Sequence, residues 1–214
     1  MSRLEGAGVP ATREISSGRR LAYGRVVPSV LDQTDLVVKR RPQLMEVRGG
    51  YDILDQQATG LIGSVEQVGR DNLEKLTHPQ RADNAKTFFE LRDPSGPVLL
   101  FTHVQAAHSS LMVARPDGTD VGLIKLENVF GKKRFAIEPD MHGLALASRT
   151  WRNKNFVMVA QGTELASVDM THGTSGDKSH DNQYAVHIAP GLADPIRSIA
   201  FAVVFAVDRI VWSR

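Results

Sequence analysis

Between residues 51 and 168 the chain repeats one unit five times: two large apolar residues two positions apart, a turn, then a second apolar segment. The pairs are Tyr51 and Ile53, Phe89 and Leu91, Leu111 and Val113, Phe135 and Ile137, and Phe156 and Met158. A spacing of two puts both members on one face of a strand, whereas a helix face needs three or four. Each pair runs into Gly, Pro or Asp: Asp55 to Gly60, Asp93-Pro94-Ser95-Gly96, Arg115-Pro116-Asp117-Gly118, Pro139 to Gly143, and Gln161-Gly162. Such residues supply the backbone angles of chain reversal. Second strands then follow in 60–65, 98–101, 122–126, 143–147 and 165–168. The repeating unit is therefore a β-hairpin, recurring about every 20 or more residues.

Five hairpins make ten strands, and Tyr184 to Ile188 with one segment in Leu36 to Val38 or Leu44 to Val47 raises the total to about twelve. A meander of this length loses its unpaired edges only by closing on itself. Side chains fill a barrel up to about eight strands, so one of twelve needs a plug. The one long apolar run, Ile199 to Val207, is the candidate. Asp194 is the expected N-cap and Pro195 the first helical residue, giving a helix over about 195–212. A bilayer span needs roughly 20 apolar residues. Lengthening this run takes in Arg197, Asp208 and Arg209, and a charge at the bilayer centre costs at least ~2.5 kcal/mol. The expected fold is all-β with one central helix: a closed antiparallel barrel of about twelve strands, threaded by a helix whose core residues are Ile199, Phe201, Val204 and Phe205. Residues 1–34, rich in Arg, Gly, Ser and Pro without sustained periodicity, read as a flexible N-terminal arm, and 35–214 as a single barrel domain.

Composition removes several functions. There is no cysteine, so disulfide scaffolds, thiol nucleophiles and iron–sulfur sites are excluded. Lys plus Arg number 26 against 24 Asp plus Glu, too even a balance for nucleic-acid coating. The N-terminus has no apolar stretch of the kind a secretory signal needs, which leads to a cytoplasmic expectation. Neither Gly-x-Ser-x-Gly, a phosphate-binding loop nor His-Glu-x-x-His occurs, and His103 with His108 has a spacing that fits no common ligand pair. A barrel filled by its own helix leaves little interior for a substrate, so an enzyme is not expected.

Charge placement is uneven. In an up-and-down barrel the hairpin turns lie at one end and the linkers between hairpins at the other. The linkers 127–134 and 149–154 carry Lys132, Lys133, Arg134, Arg149, Arg152 and Lys154 against a single acid, Glu127, a net +5. The hairpin turns, with Asp93, Asp117, Asp120, Glu138, Asp140 and Glu164 against Arg92 and Arg115, total −4. A basic end suits anionic headgroups at about 1 kcal/mol per nearby Lys or Arg; the plainer alternative is ordinary solvation of turns. Trp151, between Arg149 and Arg152, either lodges at a membrane interface or packs over the barrel mouth, and Trp212 has the same two readings. His172, Asp177, His180 and Asp181 form either a weak divalent-cation site or a mobile Gly/Ser-rich loop.

The succession Tyr51-x-Ile53-x-Asp55, Gly60, Val65, Asp93-Pro94-x-Gly96, Pro116-Asp117-Gly118, Phe135-x-Ile137, then Arg197 in an apolar C-terminal helix ending at Asp208, resembles the LURP-one-related and phospholipid scramblase group, over roughly residue 36 to the end. The stretch Asp181-Asn182-Gln183-Tyr184-Ala185-Val186-His187-Ile188-Ala189-Pro190 is similar to the scramblase segment that precedes the C-terminal helix. The resemblance implies a Tubby C-terminal-like barrel around a central helix. It also implies calcium at Asp177, Asp181 and Asn182, although Lys178 and His180 stand where further oxygen ligands would help a hard cation. The uneven charge leads to a non-enzymatic protein, peripheral at the inner face of the plasma membrane, that binds anionic phospholipid through Lys132, Lys133, Arg134, Arg149, Trp151, Arg152 and Lys154, and the resemblance extends this to a scramblase-like role in moving lipid between leaflets. The alternative is a soluble LURP-one-related regulatory module with a protein partner. A fold alone does not decide between them.

Overall fold

Alternation along each strand sorts the residues into an apolar interior and an outer surface. In β5 (Gly96–Val104), Leu99, Phe101 and His103 are buried, while Val98, Leu100 and Thr102 between them are only half-buried. A computed structural model describes residues 29–41, 50–68, 86–105, 109–128, 130–139, 143–172 and 182–212. The other strands are β1 (Asp35–Arg40), β2 (Gly50–Asp55), β3 (Leu61–Val68), β4 (Lys86–Asp93), β6 (Ser110–Ala114), β7 (Asp120–Leu126), β8 (Arg134–Glu138), β9 (Leu144–Ser148), β10 (Asn155–Ala160), β11 (Thr163–His172) and β12 (Asn182–Ile188). Each pairs antiparallel with its sequence neighbours, and β1 closes the circle by pairing with both β2 and β12, Val38 lying opposite Ile53 and Tyr184. The expected twelve-stranded closed barrel is thus present, with Leu36–Val38 supplying the first strand; Leu44–Val47 lies outside the described residues.

Helix α1 (Ile196–Val207) runs through the barrel and continues as a five-residue π turn, Asp208–Trp212. Every residue from Ser198 to Asp208 is buried, including Ile199, Phe201, Val204 and Phe205. Phe205 sits at the centre, its ring 5.0 Å from Phe101, 5.1 Å from Tyr51 and 5.8 Å from Phe201. Burying a side chain of this size contributes roughly 1.5–3 kcal/mol, so a helix apolar all round is stable here as it would not be in water.

The helix start differs in detail from expectation. Pro195 occupies the cap position rather than the first helical one. Asp194, one residue earlier, still caps: its Oδ1 accepts from Ser198 Oγ at 2.6 Å and from Ser198 N at 3.3 Å. Its other oxygen pairs with Arg115 in the β6–β7 turn, so one carboxylate ties the helix start to the barrel wall. Residues 29–34 are not part of an arm. Val30–Asp32 form a 3-10 turn with a complete capping box from Ser29 and Asp32, and Val30 is buried in the core. Ser29 Oγ donates to Asp93 at 2.9 Å, and the Arg197 guanidinium donates to the carbonyls of Leu31 and Gln33. A three-residue turn has no period, which is why the hydrophobic pattern passes over it. The remainder of the expected arm, 1–28, lies outside the described residues.

The barrel has two distinct ends. The hairpin turns and the start of α1 share one, the turn end. The linkers and the π turn share the other, the linker end, where Trp212 Nε1 donates to the Asn153 carbonyl at 2.8 Å.

Candidate functional site

At the linker end, the β7–β8 and β9–β10 connections are built into a single platform. Asn128 bonds the carbonyls of Phe130 and Lys132 at 2.7 Å each and accepts from the Arg134 N–H. Asn153 reaches across to accept from the Lys133 N–H at 3.0 Å. The backbone of Asn153 is left-handed, φ +51°, a conformation Asn tolerates better than most residues. Gly131, at φ +74°, brings its backbone against the Trp151 ring, where an added Cβ would lie 3.0 Å from Cζ3. These bonds hold two aromatic side chains out in solvent. Phe130 is 88% exposed and Trp151 74%, the two most exposed large apolar residues among those described.

Of the basic residues expected at this end, Lys132, Arg134 and Arg152 are solvent-exposed beside the two rings, while Lys133 and Lys154 are half-buried. Arg149 is paired with Glu164. That pair joins a base counted at one end to an acid counted at the other, and Asp93 is buried under hydrogen bonds, so the turn-by-turn charge sums overstate both ends. Side-chain reach is invisible to such a sum. Of the two tryptophans it is Trp212 that covers the mouth, stacked on Tyr184 at 5.0 Å and edge-on to Phe156 at 5.6 Å. Phe130, which the sequence reading did not single out, completes the exposed pair. Its only sequence signal is a Phe outside any strand period, next to Gly131 and three bases.

Inside the linker end lies a buried polar cluster. Asp208 is 0% exposed, and its carboxylate takes one phenol on each oxygen, Tyr51 of β2 at 2.5 Å and Tyr184 of β12. Arg40 of β1 stands 3.6 Å from it and Arg209 4.0 Å. Burial, reinforced by the neighbouring carboxylate, pushes both phenols well above their ordinary range, so they remain donors. The strand partner that a buried Asp208 requires is thus three strands at once. Arg209 lies over the rings of Phe89 at 4.4 Å and Tyr51 at 5.3 Å, a cation–π arrangement. His103, 8% exposed, projects from β5 into the same region; burial, and next the Arg209 charge, hold its imidazole below the usual range.

A second grouping is on the outer wall. Asp35, His187 and Ser167 lie side by side across β1, β12 and β11, with His187 Nδ1 2.7 Å from Asp35 Oδ1, and line a groove of about 170 Å³ with Gln56 and Asp169. The order acid, imidazole, hydroxyl is that of a hydrolytic triad. However, β12 is hydrogen-bonded on both sides, which commits its backbone N–H groups to the ladder and leaves them unable to stabilise an oxyanion.

The calcium ligands implied by resemblance are not assembled among the described residues. Asn182 opens β12, whereas Asp177 and Asp181, with His180, lie outside them. No group of three metal-ligating side chains occurs among the described residues. Among the same residues no helix is long and apolar enough to cross a membrane. No family model, curated protein or solved structure matches this chain.

Proposed function

We propose that this protein is a non-enzymatic module that docks on anionic phospholipid surfaces through the linker end of its barrel. The observation that carries the reading is the fixed, exposed pair Phe130 and Trp151 flanked by Lys132, Arg134 and Arg152. The Trp151 indole favours the headgroup layer, where its apolar body and polar N–H are both accommodated, and the wholly apolar Phe130 ring favours the boundary with the acyl chains. Basic residues beside them add about 1 kcal/mol each near an anionic leaflet, and inserting a ring adds roughly 1.5–3 kcal/mol. Neither class alone gives stable attachment; two together do, as with paired membrane signals. The resemblance to the scramblase group supports the same reading and extends it to lipid movement between leaflets, and a central helix buried in its barrel is compatible with docking without insertion.

Co-sedimentation with vesicles tests this directly. Binding to vesicles containing phosphatidylserine is expected, none to neutral ones, with a steep fall as salt rises. Changing Lys132, Lys133, Arg134, Arg149 and Arg152 together to Gln should abolish it, and Phe130→Ala with Trp151→Ala should weaken it about 100-fold or more, from two rings at the burial value above. Parallel samples with and without calcium test the ligand set implied for Asp177, Asp181 and Asn182. A folded protein that ignores anionic vesicles overturns the proposal and leaves the protein-interaction reading.

A further inference from the structure

At the buried mouth of the barrel, two side chains hold polar nitrogens that have no hydrogen-bond partner among the described residues. Arg209 presents Nε and Nη2, the two parallel N–H groups on one edge of the guanidinium, both inaccessible to solvent and without a hydrogen-bond partner among the described residues; its side chain is 14% exposed. That edge is the one that grips an oxyanion with two bonds. Asp208 is the nearest carboxylate among the described residues, and it does not close the gap. Its Oδ2 stays 4.0 Å from Arg209 Nε because both oxygens are held by Tyr51 and Tyr184. The ring nitrogen His103 Nε2 is likewise buried and without a hydrogen-bond partner among the described residues.

These two groups are at the same height in the barrel. The Phe101 and Phe205 rings lie 5.0 Å apart. From there His103 is two residues onward in β5 and Arg209 four onward past the helix end, both toward the linker end. Two strand residues advance about 7 Å and four helical residues about 6 Å. Imidazole and guanidinium thus reach about the same level of the barrel, the guanidinium lying over the rings of Phe89 and Tyr51. The π turn that begins at Asp208 is what places Arg209 there, and single π turns recur at functional sites.

We propose that the mouth of the barrel is a binding site for a phosphate group, held bidentate by the Nε–Nη2 edge of Arg209, with His103 Nε2–H donating to a third oxygen. A carboxylate spends both oxygens on the fork, whereas a tetrahedral phosphoryl group keeps one for the imidazole. A neutral His103 fulfils this role in its Nε2–H tautomer. The site stands on the buried mouth alone and does not depend on the exposed rim. Its phosphate comes either from a small soluble ester or ion, or from a lipid headgroup entering from the membrane side.

The test uses the full chain labelled with nitrogen-15, following the Arg209 Nε–H resonance, which is identified by its loss in Arg209→Lys. Inorganic phosphate is titrated against chloride at matched ionic strength, and vesicles containing phosphatidic acid are tested in parallel. A saturable shift with inorganic phosphate assigns the site to a soluble phosphate. A shift with the vesicles alone assigns it to a headgroup. Thermal melting gives an independent measure: phosphate should raise the midpoint of the parent, Arg209→Lys should weaken binding at least tenfold although the charge is kept, and His103→Phe several-fold. An Arg209 resonance unmoved by phosphate and vesicles, an equal shift with chloride, or undiminished binding in Arg209→Lys each overturns the proposal.

Discussion

Replacing Asp208 by Leu removes the group on which three strands and the helix end converge. Tyr51 and Tyr184 are both buried, and their hydroxyls lose an ionised acceptor; an orphaned buried hydroxyl costs about 1–3 kcal/mol. Arg209 and Arg40 lose the carboxylate at 4.0 and 3.6 Å, and breaking a buried charge pair costs about 3–5 kcal/mol. These overlap rather than add, because the same carboxylate serves all four groups. The expected loss is about 4 kcal/mol, a large fraction of the roughly 5–15 kcal/mol that holds a domain folded. With a urea slope of about 2 kcal/mol per molar, the midpoint should fall by about 2 M. Urea unfolding followed by tryptophan fluorescence reads this, since Trp212 is stacked on Tyr184. Asp208→Asn keeps an acceptor and should lose less. Combining Asp208→Leu with Tyr184→Phe should lose less than the sum of the two single changes, as contacting residues do. If Asp208→Leu stays within about 1 kcal/mol of the parent at unchanged slope, the view that this carboxylate holds the mouth together is wrong.

Phe205→Ala should destabilise by about 3–5 kcal/mol, measured by the same unfolding, because it empties the space among Tyr51, Phe101 and Phe201. Gly131→Ala should cost roughly 1–2 kcal/mol for a side chain at φ +74° and displace Trp151, so its fluorescence maximum should shift and vesicle binding weaken; an unchanged Trp151 signal would count against the packing described. Asp93 is pushed up by burial but held below the ordinary carboxylate range by donors from Ser95, Ser29 and the Val30 N–H. Its stabilisation is therefore present above the unfolded-state value of about 3.9 and disappears as pH falls through the lower folded value. Asp93→Asn should accordingly be less stable than the parent at pH 6 and show a flatter loss of stability below about pH 4, which denaturation at several pH values will check.

The exposed rim was partly legible. The six bases of the two linkers and Trp151 are visible as a cluster in the sequence because both linkers are short and adjacent. Phe130 was missed because a lone aromatic in a loop has no period to mark it. Arg149 reads from the sequence as a headgroup contact, yet from its linker it spans to Glu164 on β11, 15 residues away. Arg209 and His103 carried no signal at all. They are separated by more than a hundred residues, and what pairs them is the depth each reaches inside the barrel.

By itself the sequence determined strand number, hairpin order, closure and the plug. Those features rest on local rules: side chains alternate every two residues, Gly and Pro mark reversals, and a nine-residue apolar run too short for a bilayer still fills a wide barrel. Tertiary structure alone decided which charges remain exposed, that residues 29–34 join the barrel, and that Asp208 is locked by two phenols while Arg209 beside it has no hydrogen-bond acceptor among the described residues. Those outcomes depend on where side chains from distant strands arrive in three dimensions, and on the steep dependence of hydrogen bonds and charge pairs on distance and burial. Neither quantity is written in the spacing of residues along the chain.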